Sequence, residues 1–284
     1  MSKSNILGDI YIEDGKPVEV SDFTPGMAHD VYYEVVRMIG GRFLFLEDHL
    51  QRLGHSLEGS GNPFPGKETI REDLRLLQKH NAFKEGNIRI CIQVRSGNEL
   101  HRFCYFIPYI YPEVCMYKSG VQVMTYPHVR PNPGIKKWDD RFRTSVNQFI
   151  RETGIYEAVL LNRHNEVTEG SRSNLFFIAS PNQLVSAPES EILPGITRKY
   201  LLNICRQEQL DVIHRPIRLN DLQDFDACFL SGTSPKILPV WKLNSTEFEV
   251  NHPVLQALMG RFEEVILQNL EDLRPSSWTR EQSR

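Results

Sequence analysis

The stretch EVTEGSRSNLFFI, residues 166–178, constrains the fold most, because it predicts two strands joined by a polar turn and places Glu169 at that turn. The residues on either side are β-branched, aromatic and aliphatic types that fill buried strands. A carboxylate beside buried strands costs free energy unless it has a partner. Glu169 therefore indicates either a solvated turn or a reactive site that needs a carboxylate.

The rest of the chain predicts a mixed α and β fold. Period-two or continuous apolar runs predict strands, and apolar residues three to four apart predict helices. Predicted strands lie within residues 5–20, 30–45, 86–97, 101–112, 121–127, 156–179 and 227–244, and predicted helices within residues 46–58, 67–83, 143–153, 193–210 and 253–272. Pro131 and Pro133 predict an irregular linker after the strand at residues 121–127.

Composition and charge exclude several classes of protein. The 284 residues carry a net charge of −3, which offers no global field for nucleic acid or an anionic membrane. No apolar run reaches the length of a membrane span, and the N-terminus lacks the apolar core of a signal peptide. The five cysteines and nine histidines are scattered, without a CxxC pair or a metal-ligand spacing. We expect a cytoplasmic protein with reduced thiols and no metal site.

Two polar turns in the second half of the chain offer groups that suit an anion. A Pro-Gly pair precedes a predicted helix, so the N–H groups of Ile196 and Thr197 are free at its positive end. The turn LSGTSPK, residues 230–236, offers the hydroxyls of Thr233 and Ser234 beside a glycine that permits close approach. Taken alone, an ordinary helix cap and an ordinary loop are the better explanations of these turns.

Taken together, the motifs resemble those of the class IV aminotransferase family, the fold-type IV enzymes that use pyridoxal phosphate (PLP). The ordered pair VTEGSRSNLFFI and LPGITR is specific to this family, and DVYYEVVRMIGGRFLFLEDHLQRL and SGTS support it in the expected order. The resemblance covers about residues 30–240. It implies an α+β fold of two domains, with a smaller N-terminal α/β domain at residues 1–118, a strand and linker at residues 119–136, and a larger β-rich domain with helices at residues 137–284.

The resemblance also implies a cofactor site. In the family, the glutamate that matches Glu169 faces the pyridine nitrogen of PLP and keeps it protonated, so that the ring acts as an electron sink. Asn174 shapes the same loop. The family's phosphate cup combines a guanidinium with a helix N-terminus, and its matching residues here are Arg52, Ile196, Thr197, Thr233 and, as a further member, Ser234.

Chemistry with PLP in this family needs a lysine that forms a Schiff base and moves protons. The family pattern Lys-x-x-Asn matches Asn147 at first sight, which would put Thr144 in the lysine position. The family places its lysine a little over thirty residues before the glutamate, and Lys136 lies 33 residues before Glu169 whereas Thr144 lies only 25 before it. We therefore predict Lys136, with Lys137 as the alternative. Only one can face the cofactor, because adjacent residues of an extended segment point to opposite sides.

The segment KKWDDRF departs from the family. With Lys136 as the base, Asp139 takes the place of the family asparagine, and Asp140-Arg141 stand where branched-chain enzymes carry Asn-Tyr. The tyrosine that contacts the phenolic oxygen of the cofactor in those relatives is therefore absent, and the sequence indicates no replacement.

The substrate side is less determined. Tyr33 lies 19 residues before Arg52 and matches a family tyrosine that lines the substrate pocket, with strand packing as the alternative. D-amino acid enzymes bind the substrate carboxylate with an arginine from the region of QVRSGNELHR, which makes Arg95 a candidate and Arg102 its neighbour. Neither arginine falls in register with the family residue, and an exposed strand arginine is the alternative.

The function implied by the resemblance is a PLP-dependent aminotransferase, which moves an amino group between an amino acid of branched-chain or D-amino acid type and a 2-oxo acid. Two alternatives stay open from the sequence: a lyase like aminodeoxychorismate lyase, and a non-catalytic relative that binds PLP or another phosphate ligand. Family members are homodimers, so we expect a homodimer with small-molecule substrates and without a nucleic-acid or membrane partner.

Overall fold

The first of two β-sheets lies in the N-terminal third of the chain. The computed structural model describes residues 6–23, 30–109, 111–179 and 183–273. The first sheet and its helices comprise β1 (Leu7–Glu13), β2 (Lys16–Glu19), β3 (Asp30–Ile39), β4 (Arg42–Phe43), α1 (Leu46–Glu58), α2 (Lys67–His80), β5 (Gly86–Val94) and β6 (Leu100–Ile107). Its strands pair antiparallel in the order β2-β1-β6-β5-β3-β4.

The alternation of β3 decides which of its side chains reach the core. Tyr32 and Val36 pack against leucines of α1 and α2, whereas Tyr33 lies in the cluster on the opposite face. Because side chains alternate along a strand, Glu34 shares the helix-facing side of Tyr32 and Val36. Glu34 is fully buried there, so the fold places a charge in the core beside α1.

The second sheet contains ten strands and is covered by helices. Its elements are α3 (Val114–Ser119), β7 (Val121–Pro127), α4 (Asp140–Thr153), β8 (Glu157–Leu161), β9 (Glu166–Gly170), β10 (Asn174–Ala179), β11 (Gln183–Ser186), α5 (Ile196–Gln207), β12 (Asp211–His214), β13 (Ile217–Arg218), β14 (Ala227–Gly232), β15 (Lys236–Leu243), β16 (Thr246–Glu247) and α6 (Pro253–Asp272). The strand order is β12-β11-β10-β14-β15-β7-β8-β9-β13, with β16 on β15.

Both faces of the second sheet are buried. Phe177 belongs to the apolar cluster on one face, and its neighbour Phe176 belongs to the cluster on the other, with residues of α5 and α6. A strand that is apolar on both faces reads as a continuous hydrophobic run, which explains the sequence NLFFI in β10. The predicted α+β class is confirmed by this mixture of helices and sheets.

Two elements differ from the sequence-based expectations. Helix α4 begins at Asp140 rather than Arg143, because the Asp139 side chain accepts a hydrogen bond from Phe142 N at 2.9 Å and caps the helix. Helix α3 was not predicted from the sequence, and it packs on the second sheet, where Tyr117 donates to the carbonyl of Pro235 at 3.1 Å. The strands of the first sheet end earlier, at Ile107.

Two features of other protein classes are missing from the described residues. No helix among them is long and apolar enough to cross a membrane. The same part of the chain contains no group of three or more side chains that could hold a metal ion.

Candidate active site

Glu169 lies in strand β9, one residue before its end, rather than in the turn that follows. The side chain is 2% exposed, and Oε2 accepts hydrogen bonds from Asn174 Nδ2 at 3.1 Å and Leu193 N at 3.0 Å. Oε1 accepts no aligned hydrogen bond, although Arg130 Nε lies 2.9 Å away. Burial raises the pKa of Glu169, and Arg130 and the Leu193 N–H oppose this effect. The carboxylate thus has one oxygen available to a further donor.

Asn174 and Gly195 explain the sequence between Glu169 and helix α5. Asn174 Nδ2 also donates to the carbonyl of Leu193 at 2.9 Å. A Cβ atom at Gly195 would lie 2.0 Å from Asn174 Oδ1, so any other residue would displace the Asn174 side chain. As N-cap of α5, Gly195 has no side chain that could accept from the N–H groups of Ile196 and Thr197, and both residues are buried. The start of α5 therefore presents donors without a side-chain cap.

Arg52 of helix α1 donates three hydrogen bonds, and one of them reaches the segment before α5. Its Nε and NH2 donate to the two oxygens of Glu34, both at 2.7 Å, and NH1 donates to the carbonyl of Pro194 at 3.0 Å. A guanidinium has five N–H groups, so two remain. His49 Nδ1 lies 2.8 Å from Glu34 Oε2. Burial raises the pKa of Glu34, but Arg52 and His49 outweigh it and hold the pKa far below the ordinary range.

The remaining predicted phosphate residues lie on the turn between β14 and β15. Thr233 lines one small cavity together with His49, Ile196 and Thr197, so the structure brings these residues together. Ser234 Oγ accepts from Asn87 Nδ2 of β5 at 3.0 Å. The hydroxyl of Ser234 therefore connects the first sheet to this turn, and its role at a phosphate stays a prediction.

The two adjacent lysines of the linker point in opposite directions. The backbone pairs with the edge of β3, where Tyr33 N donates to Lys136 O at 3.2 Å and Trp138 N donates to Val31 O at 2.8 Å. Lys136 is partly buried, whereas Lys137 is exposed and forms an ion pair with Asp30. The extended backbone thus separates the two side chains by the alternation that the sequence predicted.

Lys136 lies among charged groups from several elements. Its Nζ is 4.7 Å from the centroid of the Tyr33 ring. Burial lowers the pKa of Lys136, and so do Arg52 and Arg143, whereas Tyr33 and Glu34 raise it. The net direction is downward, which favours the neutral amine that a nucleophile or base requires.

Tyr33 is buried beside Lys136, and its hydroxyl accepts from Arg143 NH2 of α4 at 2.9 Å. Burial raises the pKa of Tyr33, but Arg143, Lys136, Arg130 and Arg89 outweigh it and bring the pKa to about 7. A phenol with a pKa near neutrality is a feature of functional sites more often than of packed cores.

Arg95 lies apart from the residues above. It follows the end of β5, is exposed, and has NH2 2.6 Å from His101 Nδ1. Cys91 is the partner of Tyr33 on β5, and Arg95 lies four residues further, about 13 Å along the strand. The fold of the chain therefore does not bring Arg95 to Lys136.

The sequence-based predictions missed several buried or partly buried charged residues of this site, among them Glu34, Arg130, Arg143 and Glu157. For Glu34 a signal existed, because it is an acid on the apolar side of an alternating strand. Glu157 is 3% exposed and accepts from Arg172 N in the turn after Glu169. Arg130 and Arg143 lie in a linker and at a helix start, where an arginine is ordinary.

The site fits a cofactor with an aldehyde, a basic ring nitrogen and a phosphate. Glu169 offers a buried oxygen without an aligned donor, which suits a protonated ring nitrogen. The uncapped start of α5 and the two free N–H groups of Arg52 suit a dianion. Lys136 supplies a partly buried amine with a lowered pKa.

Comparisons with known proteins agree with this geometry. The family model described as amino-transferase class IV matches residues 32–243. A putative branched-chain-amino-acid aminotransferase of Methanocaldococcus jannaschii is 28% identical over 81% of this chain and 85% of its own length, and a D-alanine aminotransferase of Bacillus licheniformis is 26% identical over 76% and 79%. The solved branched-chain amino acid aminotransferase of Escherichia coli matches 95% of this chain and 97% of its own, with a TM-score of 0.78 and 21% identity.

Proposed function

The chain belongs to the class IV aminotransferase family of PLP-dependent enzymes, and we propose that Lys136 is the lysine that binds the cofactor covalently. The observation that carries this proposal is the contrast between two adjacent lysines. Lys136 is partly buried beside Tyr33, with its pKa lowered, whereas Lys137 is exposed and paired with Asp30. Burial lowers the pKa of an amine, and the neutral amine is the form that acts as a nucleophile.

The other residues have complementary roles in the proposal. When bound, PLP supplies an electron sink for the negative charge that develops at the substrate Cα. Glu169 holds the proton at the ring nitrogen through its available oxygen. Arg52, Thr197 and Thr233 bind the phosphate, together with the free N–H groups at the start of α5. Lys136, as the neutral amine, would move a proton between the Cα of the substrate and the C4′ carbon of the cofactor.

For the substrate we propose an amino acid of branched-chain or D-amino acid type, with a 2-oxo acid as amino acceptor. Both substrate classes are named for relatives of this chain. Tyr33 lines the substrate side in this proposal, because it is the aromatic group beside Lys136. Arg95 lies too far from Lys136 within one protomer, so it would serve the site of a second protomer in a homodimer. We also propose a cytoplasmic location.

Borohydride reduction of the PLP-loaded protein, followed by peptide mass mapping, tests the proposal. We expect a pyridoxyl mass on Lys136 in the wild type and in K137A, and no fixed label in K136A. A pyridoxyl mass on Lys137, or no labelled lysine in protein that retains PLP, would contradict it.

Substrate screening then separates the remaining alternatives. Transfer from L-leucine or from D-alanine to 2-oxoglutarate assigns the donor class. Product formation that does not depend on any amino acceptor would instead indicate a lyase reaction.

A further inference from the structure

Arg143 connects two parts of the candidate site that lie on different elements. Its NH1 donates to the carbonyl of Ser171 at 2.8 Å, and its NH2 donates to the hydroxyl of Tyr33 at 2.9 Å. Tyr33 packs against the Lys136 amine, and Ser171 follows Glu169 by two residues. One guanidinium from the first turn of α4 therefore spans the lysine end and the carboxylate end of the site.

An arginine suits this position because of its planar fork. The two acceptors belong to a strand of the first sheet and to a turn of the second, so the donor must offer two N–H groups at a fixed spacing. The hydroxyl of Tyr33 belongs to a residue only 4% exposed, so losing this donor leaves its oxygen poorly solvated. Lysine keeps the charge at this position but loses the fork.

The two hydrogen-bond partners of Arg143 are neutral oxygens, which distinguishes it from Arg52 and Arg130. Arg52 lies against Glu34, and Arg130 lies against Glu169. The positive charge of Arg143 thus acts on its surroundings without a carboxylate in its two hydrogen bonds. It lowers the pKa of Tyr33 against the effect of burial, and it lowers the pKa of Lys136 in the same direction as burial.

We propose that Arg143 is a positioning residue of this aminotransferase, which fixes the Tyr33 hydroxyl and the turn after Glu169 in one geometry. The inference rests on the proposed role of Lys136. It also explains the altered segment KKWDDRFR. Asp139 caps α4, and Arg143 lies in the helical turn that this cap begins.

The test measures the proton affinity of the Tyr33 phenol in PLP-free protein, by the absorbance of tyrosinate at 295 nm across pH. Four charged groups lower the pKa of Tyr33: Lys136 and Arg130 from the linker, Arg89 from β5 and Arg143 from α4. Arg143 has the largest effect of the four and donates a hydrogen bond to the hydroxyl, so its removal should raise the pKa of Tyr33 by about one pH unit, a tenfold change in the proton dissociation constant.

The variants separate charge from geometry. We expect the titration midpoint of Tyr33 to rise by about one pH unit in R143M and R143Q and to stay near the wild-type value in R143K. Y33F identifies the Tyr33 step, because it lacks only that phenol. R141M is the matched control, because Arg141 is an exposed residue of the same helical turn, and it should leave the midpoint unchanged.

An unchanged Tyr33 midpoint in R143M and R143Q, or an equal shift in R141M, overturns the inference. Circular dichroism verifies that each variant folds, and R143Q, the smaller change, replaces R143M if the latter unfolds. The borohydride label tests the proposed function separately, since a label on Lys137 would refute the role of Lys136 while leaving the contacts of Arg143 with Tyr33 and Ser171 intact.

Geometry is measured by PLP binding. R143K should retain the Tyr33 midpoint but bind PLP more weakly than the wild type, because an ammonium lacks the planar fork that meets Tyr33 and Ser171 at a fixed spacing. Binding of PLP to R143K as tight as to the wild type would overturn the geometric part of the inference.

Discussion

Replacing Glu34 with glutamine should destabilise the protein and weaken phosphate binding together. Glu34 is fully buried, accepts two hydrogen bonds from Arg52, and lies 2.8 Å from His49 Nδ1. Glutamine preserves the shape but leaves the guanidinium without a counter-charge. Two hydrogen bonds to charged groups are worth about 1.5–3 kcal/mol each, and breaking a buried pair costs about 3–5 kcal/mol. We expect a loss of about 3–5 kcal/mol in the free energy of unfolding.

Urea unfolding of the PLP-free protein at pH 7, followed by far-UV circular dichroism, measures this loss. The matched control is E68Q, because Glu68 also contacts two arginines, Arg71 and Arg75, but on the exposed face of α2. Exposed pairs contribute little, so E68Q should leave the urea midpoint unchanged. The reasoning about Glu34 is refuted if E34Q shifts the midpoint no more than E68Q does.

The same pair predicts a pH dependence. Since the folded-state pKa of Glu34 is lowered, its stabilisation is complete above the ordinary glutamate pKa of about 4.3 and is lost as the pH falls below that value. The stability difference between wild type and E34Q should therefore shrink as the pH is lowered from about 5 toward 3. A difference that stays constant over this range would contradict the assignment.

Three further predictions concern the site itself. K136A should lower the rate of transamination by about 10²–10⁴-fold, whereas K137A should keep near-wild-type turnover. A K136A rate close to that of the wild type would count against Lys136. The absorbance of tyrosinate at 295 nm in PLP-free protein should titrate near pH 7 and lose that step in Y33F; an unchanged titration in Y33F would show that another group carries it. G195A should weaken PLP binding, measured by fluorescence titration, because the new Cβ displaces the Asn174 side chain from Glu169, and unchanged affinity would mean that the loop adjusts without cost.

The sequence predicted the elements well where local chemistry decides the structure. The final helix was expected at residues 253–272 and is found there, because its apolar residues recur at helical spacing after a proline at the first helical position. The start of α4 was misplaced, since Asp139 was considered as a counterpart of a family asparagine and not as a helix cap. Capping depends on one side chain and leaves no periodic signal.

The charged environment of the site was less predictable. Glu34, Arg52 and Pro194 belong to three separate segments, and their contact arises only when α1 packs on β3 and the residues before α5 come to lie beside Arg52. Likewise, nothing in the residues near Arg143 indicates that it meets Tyr33, because this contact depends on the path of the linker. Sequence patterns predict which residues are buried more readily than which buried charges become neighbours.

The pairing of the linker with β3 has a mechanical consequence. The backbone of residues 136–138 is hydrogen-bonded to the edge of the first sheet, and Lys136 N also donates to Ser56 Oγ of α1 at 3.2 Å. Lys136 is thus anchored to the first sheet, while Glu169 belongs to the second. Any hinge motion between the sheets changes the separation of these two residues, so the opening and closing of the molecule would be coupled to the reach of the amine.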